Sequence, residues 1–157
     1  MKRIVDGTVV ELSPAEEKAY HAQMTDRLPR AEAAAKKLLN GRIDRECKRR
    51  IRTGFTFQGH TYEANDHSLA RISQAAQWAD SAISHQGKLE GDYRWHDGAE
   101  DYFWIDADNN RVGMDAPTVV ALGRAAAAHV NLCVVKARDL KDLEEGPANY
   151  QNKVHWT

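Results

Sequence analysis

The chain has 157 residues, 22 of them Lys or Arg against 23 Asp or Glu, with 42% hydrophobic and 29% charged residues. That is too apolar and too evenly charged for a disordered chain, and the length suits one compact domain with room for added extended elements, since globular domains cluster at roughly 100–150 residues. A formal charge of −1 argues against a dedicated nucleic-acid binder, whose footprint is strongly basic. No unbroken apolar run approaches the roughly 20 residues that span a bilayer, and the opening MKRIVDGTVVEL lacks the apolar stretch of a signal peptide. A soluble, cytoplasm-made protein is therefore expected. Cys47 and Cys133 are far apart and lack CxxC spacing, which points to neither a disulfide framework nor a zinc site.

Taken in order, the chain opens on a hairpin: Arg3-Ile4-Val5 and Thr8 to Leu12 flank Asp6-Gly7, a favoured type I′ turn. Ser13-Pro14-Ala15-Glu16 starts a helix, with Ser13 as N-cap, Pro14 at the first helical position and Glu16 closing a capping box. Pro29 is expected to break or kink it, because proline lacks the amide hydrogen and clashes with the preceding turn. The pattern resumes with Leu39, Ile43, Cys47 and Ile51 and ends at Gly54, behind the cations Lys48, Arg49, Arg50 and Arg52. A second hairpin alternates Phe55, Phe57, His60 and Tyr62 around Gln58-Gly59, and Asn65-Asp66 caps a helix over about 67–86 with the stripe Leu69, Ile72, Ala76, Ala79 and Ile83. A third hairpin is read from Tyr93-Arg94-Trp95, Tyr102 to Ile105 and Arg111 to Met114, turning at DADNN. Asp115-Ala116-Pro117 opens the last helix, over about 116–144, with Val119, Leu122, Ala126, Val130, Cys133, Ala137 and Leu140 on one side, and a polar tail with Gly146-Pro147 ends near Trp156.

These elements predict an α+β, mainly helical chain, with long helices each preceded by a short β-hairpin, elongated and oligomeric. Three regions are expected: 1–48, a hairpin and helical stalk; 49–145, a hairpin–helix domain; and 146–157, a docking tail.

Catalytic signals are sparse. DADNN resembles the start of a calcium loop, but the glycine and glutamate required later are Arg111 and Pro117 here, so a hairpin turn is the better reading. The seven histidines form neither HExxH nor a pair at metal spacing on a convincing helix face. His96-Asp97 and Glu100-Asp101 could supply acid–base groups, but no nucleophile or phosphate loop accompanies them. No catalytic residue, cofactor, metal site or small-molecule substrate is expected. The aromatics instead gather in the hairpins and tail. The simplest explanation is a small core where hairpins meet helices, and the rival is a contact surface, since Trp and Tyr dominate interface hot spots. The candidate interface residues are Trp95, Trp104, Trp156, Tyr93 and Tyr102, joined by Leu69, Ile72 and Ile83, whose stripe exceeds what small hairpins cover.

From Arg49 to about Asp142 the sequence resembles a small domain of uncharacterised function found in tail genes of bacteriophages and prophages. The resemblance rests on RRIRTGFTFQGHTYEAND, SLARISQAA, FWIDADNNRVGMDAPTVVALGRAAAAHV and ARDLKD. The opening IVDG hairpin and SPAEE also resemble the start of tail-fibre and tail-assembly proteins. This resemblance implies a phage tail context and no known catalytic residues, and it does not separate a virion part from an assembly factor. The expectation is a virion tail protein, made in the host cytoplasm, whose partners are other phage tail proteins and, because the stripes Leu69–Ile83 and Val119–Leu140 exceed what small hairpins cover, further copies of itself as a trimer or dimer. Neither nucleic acid nor membrane is implied as a partner. An assembly chaperone left out of the finished particle is the alternative, and a wall-degrading tail enzyme is the third choice.

Overall fold

A computed structural model describes residues 2–5, 8–143 and 146–157. Three helices and three two-stranded antiparallel hairpins follow one another as β1–β2–α1–β3–β4–α2–β5–β6–α3, and more than half of the chain is helical. The chain divides into two compact units, Met1–Arg42 and Ile43–Thr157.

In the first unit, β1 (Lys2–Val5) pairs with β2 (Thr8–Glu11) in the register Lys2↔Glu11 to Val5↔Thr8. The expected Asp6-Gly7 turn lies outside the described residues. The capping box at the start of α1 (Pro14–Arg52) forms as read: Glu16 N–H donates to Ser13 Oγ at 3.3 Å, and Ser13 N–H donates to Glu16 Oε2 at 2.9 Å. The expected break at Pro29 is absent, and α1 runs through it without interruption. Position 29 is exposed, as is Thr25 one turn earlier, so the carbonyl that loses its helical donor faces water. The Ala, Lys, Arg and Glu around Pro29 are strong helix formers, and one lost bond does not end the run.

The second unit holds the core. The end of α1 buries Ile43 and Cys47, and Gly54 then turns the chain at φ +86°, where a Cβ would lie 2.5 Å from the Tyr62 carbonyl oxygen. Only glycine fits there. β3 (Phe55–Phe57) and β4 (His60–Tyr62) pair across Gln58-Gly59, whose φ values of 48° and 83° are those of a type I′ turn. α2 (Asp66–Gln86) is capped by Asn65, which accepts from Ser68 N–H, and closes at Gly87. Its buried face is Ile72, Ala75, Ala79 and Ala82, with Leu69 and Ile83 only partly covered. The buried face is therefore rotated slightly from the expected stripe, taking in Ala75 and Ala82 and leaving Leu69, Ala76 and Ile83 partly covered.

The third hairpin is shorter than expected. Only β5 (Phe103–Ile105) and β6 (Arg111–Gly113) form strands, while Tyr93-Arg94-Trp95 lies in a turn. That turn is still tied to the hairpin, through Tyr102 N–H to the Tyr93 carbonyl and Trp95 Nε1–H to the Met114 carbonyl at 3.1 Å. α3 (Ala116–Asp142) buries Val119, Leu122, Ala126, Cys133, Ala137 and Leu140, close to the expected stripe. Asp115 caps it through Thr118 N–H and also accepts from Gly91 N–H at 2.8 Å, so the end of α2 and the start of α3 are held together. Burial opposes ionisation of Asp115, but these backbone donors outweigh it and its pKa is lowered.

Candidate interaction surface

The buried carboxylates of the second unit are committed to the fold, whereas the Tyr62 hydroxyl and His96 Nδ1 are buried without a hydrogen-bond partner. Asp106 sits in the DADNN turn and accepts four hydrogen bonds: from Asp108 N–H, from Asn110 N–H, from the Asn110 side-chain amide, and from His60 Nδ1–H at 2.9 Å. Ala107 N–H also donates to the Thr61 carbonyl at 2.8 Å, so this turn stitches the third hairpin to the second. The Asn110 amide and backbone donors, helped by His60 and Asp108 N–H, hold the Asp106 carboxyl at about 2 against the opposing effect of burial. Among the described residues, no group of three or more His, Cys, Asp or Glu is placed to hold a metal ion.

Glu46 plays a similar part on α1. It takes a bidentate contact from Arg49, 2.8 Å at each nitrogen, and a third hydrogen bond from Arg50 Nε–H. The Arg49 bonds come first, and with the two positive charges they keep its carboxyl below the usual range despite burial. Cys47 donates its thiol to the Cys133 carbonyl at 3.4 Å, joining α1 to α3. Burial raises both thiol pKa values, which leaves them neutral packing groups. His129 on α3 lies against the end of α1, its Nε2 3.0 Å from the Ile51 carbonyl and its ring stacked on Phe55.

The candidate interface residues separate into covered and open groups. Trp95 is fully buried among Trp78, His96 and Tyr102, and Ile72 is buried beneath α3, so neither presents a surface. Trp156 is 5% exposed: its ring lies under the Arg50 guanidinium and its Nε1–H donates to the Tyr150 carbonyl at 2.7 Å. The pocket for this ring is therefore on its own chain, and residues 146–157 belong to the second unit. Trp104 is half-buried with Arg71 over its face, Tyr102 packs on Trp95, and Tyr93 stays exposed. Leu69 and Ile83 flank the α2–α3 contact.

Exposed apolar side chains are spread along the chain, and three of them sit close together on α3. The helix is long and apolar enough in length and composition to cross a membrane, yet only 22% of its most apolar stretch is buried. Leu132, Val134 and Val135 are 45%, 50% and 44% exposed. A search for unbroken apolar runs missed this, because Arg124, His129, Asn131 and Lys136 interrupt the sequence without dividing the helix surface. A groove of about 760 Å³ runs between α2 and α3, floored by Leu69, Ile72, Ala76, Val120, Ala127 and Val130 and open at Val134.

The fold and this surface define a helix-and-hairpin domain with an apolar groove between α2 and α3. The chain belongs to the family described as Domain of unknown function (DUF4376), whose model matches residues 34–152. No curated protein and no solved structure matches it.

Proposed function

We propose that this protein is a non-enzymatic structural component of a bacteriophage tail, an elongated, self-associating adaptor or connector between fibre or baseplate parts. One observation carries the reading: α3 leaves Leu132, Val134 and Val135 exposed and, with α2, walls an apolar groove that stays open. A helix with that pattern is stable in water when something else covers it. The buried carboxylates Glu46, Asp106 and Asp115 are spent on hydrogen bonds that hold helices and hairpins together, which suits a protein selected for shape and docking. The tail context comes from the resemblance of residues 49–142 to tail-gene domains. Mass spectrometry of purified particles of the encoding phage or prophage tests the proposal. Stoichiometric presence in tails is the expected result. Absence from particles, with co-purification of fibre protein from the lysate, would replace the connector with an assembly chaperone.

A further inference from the structure

We propose that the groove between α2 and α3 is closed by the same groove of a second copy, making the protein an isologous homodimer. The inference deepens the structural reading above by naming the first partner of its apolar surface. A contact built on a two-fold axis must be self-complementary. This groove has that property in its lining, because the small apolar side chains Ala127, Val130 and the exposed Val134 of one copy can pack against the same row of another. It has it in charge as well. The two charged side chains at the groove are Asp80 on α2 and Arg124 on α3, of opposite sign, and neither is in an ion pair among the described residues. A two-fold partner sets each against its opposite, whereas a partner of a single sign would leave one of them facing a like charge. Asn131 and Gln77 add neutral polar groups at the rim, which favour one register over sliding. An anionic bilayer is the poorer fit, since it would bring Asp80 against like charge.

Sedimentation of the full chain over a micromolar range, with circular dichroism on every variant, tests this. The expected result is a dimer that Val134→Asp turns into a folded monomer. Arg124→Asp should weaken the dimer about tenfold or more by placing like charges together, and the double variant Asp80→Arg/Arg124→Asp should recover most of that loss. A chain that stays monomeric throughout, a dimer indifferent to Val134→Asp, a charge swap that restores nothing, or flotation of the protein with anionic vesicles would each overturn it. The test is separable from the tail assignment: a dimer never found in particles sinks only the tail reading, and a monomer found in particles sinks the dimer and the self-association but leaves the tail assignment standing.

Discussion

The guanidinium carbon of Arg50 lies 4.8 Å from the centroid of the Trp156 ring, 106 positions further along the chain. The same arginine donates to Glu46 on its own helix and to the Gln151 carbonyl in the terminal segment, both at 2.8 Å. One side chain thus joins a buried carboxylate, a cation–π contact and a backbone acceptor. The end of the chain is locked onto the end of α1, so of the three places where the sequence allows a pocket for Trp156 (its own subunit, a sister subunit or another protein) the first is the one occupied.

Trp156→Ala should therefore act on stability rather than on a surface. Removing a buried tryptophan costs about 3–5 kcal/mol when the site cannot collapse, and a terminal segment collapses or detaches more easily than a core. The expected loss is about 2–3 kcal/mol in urea denaturation, with the helical signal retained and new proteolytic cleavage after Gly146. Unchanged protease resistance would show that Tyr150, Gln151 and the 3-10 turn Lys153–His155 hold the segment without the ring.

Asp106 gives the acid side of the stability curve a defined window. Its carboxyl titrates near 2 in the folded chain against an ordinary 3.8. A depressed folded value means a contribution present in full above the unfolded pKa and lost as pH falls through the folded one. The difference in stability between the wild type and Asp106→Asn should be constant near neutrality and shrink from about pH 4 to about pH 2. Equilibrium unfolding at several pH values measures it, and a difference that stays level across that interval would mean that the four hydrogen bonds do not depend on ionisation.

Ile43 and Ile72 are buried at 0% and 1% exposure on α1 and α2. An unpaired carboxylate at either place costs several kcal/mol of the roughly 5–15 available. Ile43→Asp and Ile72→Asp should each abolish cooperative thermal unfolding, read by circular dichroism. A normal melt would place these side chains at the surface.

Much of this fold could be read from local chemistry. The capping box at Ser13 and Glu16, the turn at Gln58-Gly59, the caps Asn65 and Asp115, and the α3 stripe from Val119 to Leu140 each depend on residues within one or two turns of each other. What escaped depends on distant partners. Position 95 reads as a strand-borne tryptophan until the Met114 carbonyl and the rings of Trp78 and Tyr102 are seen around it. Trp156 reads as an outward anchor until Arg50 is seen above it. The groove is lined by stripe residues, Leu69, Ile72, Ala76 and Val130, and what the pattern does not show is that α2 and α3 leave it open, with the exposed Val134 off the α3 stripe at its side.

A close approach of α2 and α3 at Gly123 supplies the last prediction. A Cβ added to Gly123 would lie 2.5 Å from the Cβ of Ala76, a separation that real atoms do not tolerate. Intrinsic propensity favours alanine over glycine in a helix interior by about 1 kcal/mol, so a site with free space would be stabilised by Gly123→Ala. Here the two helices must separate instead. Separation loosens the packing of Ile72, Ala79, Val119 and Leu122 on both sides of the contact, all of them buried. Overpacking of this kind costs about 1–3 kcal/mol, which exceeds the propensity gain. Gly123→Ala should thus destabilise, as should Ala76→Gly alone, through lost propensity. The double variant Ala76→Gly/Gly123→Ala exchanges the two residues across the contact and should be more stable than the sum of its parts by about 0.5–3 kcal/mol. Urea denaturation of the four proteins closes the cycle. Strict additivity would show that the two helices do not meet at this point, and the groove beside it would lose its floor.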